Sequence, residues 1–123
     1  EGDAHQVVKA CAQKYHNVVI ASGATDYISD GTRVVEIHNQ TRLLPAVVGS
    51  GDLLSSLAAA FCAVGPNPLQ AAINASLTLS CAGERITEKL HDQYLPGSFL
   101  SGLMDELANI TVAQVEERMK VEE

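Results

Sequence analysis

Residues 53–64, Leu-Leu-Ser-Ser-Leu-Ala-Ala-Ala-Phe-Cys-Ala-Val, constrain the fold more than any other stretch. They form a helix pattern almost without polar residues, which predicts burial over most of the helix circumference. Gly65-Pro66 ends it. A second Ala-, Leu- and Ser-rich helix follows, with Asn67 as cap and Pro68 at its first position, running to about Cys81 or Arg85. Two such helices need a large apolar surface to pack against. The strand signals are few, so the expected sheet is partial.

Those strand signals lie upstream. Asp3 caps a first helix over about residues 4–14, which stops near His16-Asn17. Val18-Val19-Ile20-Ala21 is continuous, apolar and largely β-branched, the pattern of a buried strand in a parallel sheet flanked by helices. Tyr27–Ser29 and Arg33–His38 predict a hairpin around the turn dipeptide Asp30-Gly31. Val35 and Ile37 share one face of it, with Glu36 and His38 on the other. Leu43-Leu44 leads into Pro45, which denies helix there.

Downstream, residues 91–97 read as a connector. Phe99, Leu100, Leu103, Met104 and Leu107 recur at helical spacing, with Leu103 and Met104 as core. Thr111 and Gln114 form a capping box for a last short helix, and the tail Lys120–Glu123 is expected to fray. No repeat, low-complexity tract or domain boundary interrupts the 123 residues, so they are expected to form part of one domain.

Composition narrows the functional classes. Lys and Arg total 8 against 15 Asp and Glu, a formal charge of -7. That sign argues against a broad nucleic-acid surface or an anionic membrane. Trp is absent and the longest apolar run is eight residues, Leu57–Val64, far below a membrane span. Cys11, Cys62 and Cys81 match no zinc spacing and are an odd number. They are expected as reduced, mostly buried thiols of a cytoplasmic protein. His5, His16, His38 and His91 are not spaced like metal pairs and read as surface or turn residues. No metal ligand is assigned.

The chemistry concentrates in two glycine-bearing loops. Gly49-Ser50-Gly51-Asp52 precedes the apolar helix. Glycines there let backbone N–H groups turn inward, and the helix adds its free donors and dipole. This suits a transferring phosphoryl group. Asp52 beside it has no reason to bind an anion but can accept a proton from an attacking hydroxyl. A plain turn with Asp52 complementing the helix dipole is the simpler alternative. The spacing is not that of a P-loop. The second loop, Ser22-Gly23-Ala24-Thr25-Asp26, leaves the end of a buried strand, where open α/β sheets bind ligands. The simple alternative is a connecting loop with Asp26 making a turn bond. Asn74, Ser76, Ser55, Ser56, Thr78 and Ser80 either bond within the core or line a pocket. Arg42 is the only basic residue near the glycine loop, within reach of a phosphate.

Val18–Gly31, VVIASGATDYISDG, resembles the strand, phosphate loop and hairpin of hydroxyethylthiazole kinase. Val47–Val64, VVGSGDLLSSLAAAFCAV, resembles that family's anion-hole segment and following helix. The family belongs to the ribokinase-like superfamily. The resemblance implies an α/β, three-layer ribokinase-like fold, of which this chain would be the C-terminal half: a partial sheet, a small hairpin and Ala-rich helices. It implies ATP-dependent phosphorylation of the hydroxyl of 4-methyl-5-(2-hydroxyethyl)thiazole in thiamine salvage. Asp52 would be the catalytic base, with Gly49 and Gly51 in the anion hole. Ser22, Gly23 and Asp26 would contact nucleotide phosphates, Ser22 standing at a usual threonine. The implied cofactors are ATP and Mg²⁺, with metal-organising residues upstream. The implied partners are a missing N-terminal half or partner chain and the other subunits of a homotrimer. The family commonly carries Cys where Asp52 stands here. The alternatives are another small-alcohol kinase, for a sugar or hydroxymethylpyrimidine, and a noncatalytic nucleotide-binding fragment or subunit.

Overall fold

Elements α1 (Ala4–Tyr15), β1 (Val19–Ala21), β2 (Asp26–Ser29), β3 (Val34–Ile37), α2 (Ser50–Val64), α3 (Pro68–Lys89), α4 (Pro96–Asn109), α5 (Val112–Glu116) and β4 (Val121–Glu122) follow one another along the computed structural model, which describes residues 3–123. Local chemistry sets most of their ends. Asp3 accepts from the His5 amide at 3.1 Å, and His16 closes α1 in the left-handed conformation. Asn67 accepts from the Gln70 amide at 3.1 Å. Thr111 and Gln114 complete their capping box. In the hairpin turn Gly31 has φ 94°, and Asp30 Oδ1 accepts from the amides of Thr32 and Arg33 at 2.9 and 2.8 Å. Those bonds hold the Asp30 carboxyl below its ordinary pKa.

The four strands lie in the order β1-β2-β3-β4, every pair antiparallel. The register sets Ile20 opposite Ile28, Ile28 opposite Val35 and Asp26 opposite Ile37. That face packs on α3 through Leu69, Ala72, Ile73, Leu77 and Cys81. The first helix, α1, packs on the strands with Val8 and Ala12 almost fully buried. Gln13 of α1 donates to the Gly31 carbonyl at 2.8 Å. Helices α2 and α4 pack on α3, around Leu43, Leu54, Leu79, Ala82, Phe99 and Leu103. Helices α1 and α3 thus both pack on the strands. At Gly83 a Cβ would meet Thr41 Cγ2 at 3.0 Å, so the missing side chain lets the turn at 41–44 close onto α3.

Several expectations are corrected. Among the described residues β1 pairs with the antiparallel β2 and with no parallel strand, and its exposure is intermediate to high. Its continuous apolar run reflects contacts with both α1 and the α3-facing core instead. α2 is not buried around its circumference. Only Leu54 is fully buried, while Leu53, Leu57, Ala58 and Phe61 cover the core from one side. The chain supplies α3 as a neighbour for that side, and Cys62 and Val64 are exposed. Met104 is likewise exposed, whereas Leu103 is fully buried. α3 extends to Lys89, a full turn beyond Arg85.

The tail does not fray. Val121 and Glu122 pair with Ile37 and Glu36 as β4. Asn39, itself buried, holds the approach to that strand. Its Nδ2 donates to the Arg118 carbonyl at 2.7 Å, and its Oδ1 accepts from the Lys120 amide at 2.6 Å. Arg118 in turn forks onto both oxygens of Glu88 at 2.9 and 3.1 Å. That pairing lowers the pKa of Glu88.

Candidate functional site

The two glycine-bearing loops, 27 residues apart in sequence counted from Ser22 to Gly49, converge on one cleft of about 900 Å³. Ser22, Gly23, Ala24 and Asp26 line one side. Ser50, Gly51 and Leu54 of α2 line another, with Arg42, Leu44 and Pro45 between them. Leu79, Ser80, Glu84 and Thr87 of α3 form the floor.

Asp26 ties the first loop to that floor. It is buried, and both carboxylate oxygens are engaged. Oδ1 accepts from the Gly23 amide at 3.0 Å and Oδ2 from the Ser76 hydroxyl at 2.5 Å. A carboxylate so occupied shapes the loop and has little capacity left for a ligand. Thr25 Oγ1 adds a contact to His38 Nδ1 at 3.3 Å.

The second loop delivers a helix N-terminus. Gly49 adopts φ 94°, the left-handed conformation that side chains resist, and starts α2 without any side-chain cap. The first amide to find an intrahelical acceptor is that of Leu53, which bonds the Gly49 carbonyl at 2.9 Å. The amides of Ser50, Gly51 and Asp52 precede it, and helix geometry gives them no such partner. They therefore form an electropositive end at the cleft. A Cβ at Gly51 would meet nothing within 4 Å, so the backbone stands open to a ligand. Asp52 is exposed in this first turn and makes no side-chain hydrogen bond among the described residues.

Two cations border the cleft, Arg42 and Lys120. Arg42 donates to the Asp92 carbonyl at 2.6 Å and lies 5.4 Å from the centre of the Tyr94 ring. His91 and Asp92 both have positive φ, 54° and 57°, which turns the Asp92 carbonyl back toward Arg42. On the floor Glu84 accepts from Asn39 Nδ2 and from the Gln40 amide, each at 3.0 Å.

The predicted residues Ser22, Gly23, Asp26 and Gly51 thus meet at one cleft, with Gly49 and Asp52 flanking Gly51. Of the ambiguous polar residues, Ser80 lines the cleft and Ser76 holds Asp26. Ser55 bonds back to the Gly51 carbonyl at 3.0 Å. Sequence reading missed Asn39, Thr41, Glu84, Thr87, Asp92 and Lys120. They come from segments up to 81 residues apart, with no local motif to signal them; the Asn39–Lys120 bond is an example.

Comparison with known proteins gives this arrangement a family. The model of the "Hydroxyethylthiazole kinase family" matches residues 1–113. The hydroxyethylthiazole kinase of Pediococcus pentosaceus is 64% identical over 122 residues, 99% of this chain and 46% of that protein. That of Levilactobacillus brevis is 50% identical, covering 94% of this chain and 44% of the relative. A solved hydroxyethylthiazole kinase protein from Pyrococcus horikoshii OT3 superposes with a TM-score of 0.89 at 34% identity, over 97% of this chain and 45% of that one. The chain therefore spans about half the length of the curated relatives it matches.

The expectation of a C-terminal half with a missing N-terminal half or partner chain is replaced by what these matches show, a similarity that extends along the chain itself. The similarity runs along 99% of this chain in the Pediococcus relative and 100% in that of Latilactobacillus sakei, and the fold match covers 97%. What stands is the coarser statement that the α/β fold is the one shared with the Pyrococcus protein throughout the chain. No helix among the described residues is long and apolar enough to cross a membrane. The match over residues 1–113, joined to two phosphate-friendly loops at one cleft, makes this chain a member of the hydroxyethylthiazole kinase family.

Proposed function

We propose that this chain serves ATP-dependent transfer of a phosphoryl group to the hydroxyl of 4-methyl-5-(2-hydroxyethyl)thiazole, a reaction of thiamine salvage. The observation that carries it is the uncapped N-terminus of α2 opening on the same cleft as the Ser22–Asp26 loop. Family membership supports this reaction class.

The roles follow from charge. The amides of Ser50, Gly51 and Asp52 neutralise the negative charge that builds on the transferring phosphoryl oxygens. Gly49 sets their direction through its positive φ. Ser22 and the amides near Gly23 contact nucleotide phosphates, and Asp26 holds that loop in shape. As the substrate oxygen attacks the γ-phosphorus, the bond to the ADP oxygen breaks and the hydroxyl proton passes to the Asp52 carboxylate. Arg42 and Lys120 offset further negative charge at the rim.

Mg²⁺ accompanies ATP in such transfers. Among the described residues a single trio of His, Cys, Asp or Glu donors is close enough to share an ion, and its members do not line the cleft. Asp26 and Glu84 are occupied by hydrogen bonds. These residues do not compose a Mg²⁺ site in the cleft, and no step here is assigned to one.

The test is mass spectrometry of the protein incubated with Mg-ATP and the thiazole alcohol. A time-dependent phosphorylated product, absent without protein, is expected. Absence of product while a sugar or hydroxymethylpyrimidine is phosphorylated would overturn the substrate. Absence with every alcohol would overturn catalysis by this chain.

A further inference from the structure

The charges of the cleft pair off with one exception. Asp26, Glu84, Glu88 and Asp92 line it, together with Arg42 and Lys120. Asp26 is engaged by Ser76 and Gly23. Arg118 forks onto Glu88 and reaches Glu84 at 3.4 Å. Arg42 stands 3.7 Å from the Asp92 carboxylate. Lys120 makes no side-chain hydrogen bond and no ion pair among the described residues. Each acid that lines the cleft is thus answered by another group, and the ammonium of Lys120 is left for an anion from outside.

The backbone beneath this ammonium is pinned on both sides. The Lys120 amide donates to Asn39 Oδ1 at 2.6 Å, and its carbonyl accepts from the His38 amide at 2.8 Å. Asn39 is almost fully buried. Its Nδ2 donates to Glu84 Oε1 at 3.0 Å and to the Arg118 carbonyl at 2.7 Å. One side chain therefore ties the Lys120 segment to the cleft floor. A lysine loses rotamer freedom when it grips a ligand, and a backbone already fixed removes the rest of the ordering cost. An exposed lysine that serves solubility alone needs no such anchor.

We infer that Lys120, held at the cleft by Asn39 as its positioning residue, binds the phosphate chain of the nucleotide. This rests on the phosphoryl-transfer reading of the cleft. The amides at the start of α2 and in the Ser22–Asp26 loop are directional donors to single phosphate oxygens. Lys120 adds a full point charge that offsets the negative charge those amides leave. In a chain of formal charge -7 it also draws an anion toward this cleft.

The test is calorimetric titration of the full chain with Mg-ATP and, separately, with inorganic tripolyphosphate, which carries the phosphates without the base. The wild type is expected to bind both. Lys120→Met keeps the apolar stem and should weaken each roughly 10-fold, the ordinary worth of one charge-assisted bond, with Tm unchanged. Lys120→Arg should retain the affinity. Asn39→Ser should weaken ATP binding by a similar factor, and adding it to Lys120→Met should cost little more. Lys120 is exposed, so its variants decide the matter even if Asn39→Ser folds poorly. A wild type that binds neither anion would overturn the phosphate reading of the cleft and this inference with it. Binding of both by the wild type and equally by Lys120→Met would overturn Lys120 alone. Equal losses in Lys120→Arg and Lys120→Met would overturn the role of the charge, and additive losses in the double variant would overturn that of Asn39.

Discussion

The Ser76 hydroxyl donates to Asp26 Oδ2 at 2.5 Å, joining the middle of α3 to the loop that follows β1 across 50 residues of sequence. Asp26 passes the constraint on through Oδ1 to the Gly23 amide. A buried hydroxyl on a core helix thereby sets the shape of one wall of the cleft. Ser76→Ala strands one carboxylate oxygen in the core and should cost about 1–3 kcal/mol. Urea unfolding measures that loss. Nucleotide affinity should fall with it, because the Gly23 loop loses its anchor. A variant with unchanged midpoint and unchanged affinity would show that the bond holds nothing.

Asp52 carries the proposed proton transfer and makes no structural bond. Asp52→Asn should therefore leave the thermal melt near wild type and lower kcat by roughly 10²–10⁴-fold, the usual range for a lost general base. Steady-state kinetics on the thiazole alcohol reads this directly. Equal turnover would remove Asp52 from the mechanism.

Gly49 and Gly51 separate backbone strain from ligand access. At Gly49 φ is 94°, so Gly49→Ala should destabilise the protein by about 1–2 kcal/mol. Gly51 is helical with open space about it, and Gly51→Ala should stabilise by up to about 1 kcal/mol through helix propensity. Its new methyl group would nonetheless project where a phosphate approaches. Chemical denaturation beside ATP titration distinguishes the two, with Gly51→Ala expected to be stable and weak-binding.

Glu106 links acid stability to α3–α4 packing. Burial alone would raise its pKa. Hydrogen bonds from Lys89, at 2.7 Å, and from Arg85 outweigh this and hold it below the ordinary value. A carboxyl with a lower pKa folded than unfolded contributes stability that is full above the unfolded value near 4.5 and lost as pH falls through the folded one. Glu106→Gln should cost about 3 kcal/mol at neutral pH by breaking a buried pair. It should also flatten the acid limb of a plot of stability against pH. An acid limb of unchanged slope would exclude Glu106 as its source.

The thiols sort by burial. Cys81 is fully buried, and desolvation, followed by the charge of Glu84, pushes its pKa up to about 11. Cys62 is exposed. Alkylation at neutral pH should mark Cys62 first and spare Cys81 until the protein unfolds. Peptide mass mapping over time gives the order. Early loss of the Cys81 thiol would contradict its place in the core.

Local sequence signals were sufficient wherever one segment decides its own geometry. Asp3, Asn67 and the Thr111–Gln114 pair cap the helices that their positions predict. Asp30-Gly31 makes the hairpin turn, and the period of two puts Val35 and Ile37 in the core with Glu36 on the other face. The two glycine-bearing loops were legible as anion-friendly backbone. Capping, φ preference and strand alternation act over a few residues, so they are written in the chain itself.

Tertiary structure alone decided what depends on neighbours. The apolar residues of α2 specify a helix but not how much of it the chain can cover, and here α3 takes one side. Lys120–Glu123 has no strand signal of its own, yet β3 offers an edge and Asn39 bonds the Lys120 amide. Arg42, Glu84, Thr87 and Lys120 reach the cleft from distant segments. Glu36, His38 and Glu122 are ordinary surface residues until a strand pairing sets them within 4.8 Å. Hydrogen bonds and charges act through distance in space, and only the folded chain fixes that distance.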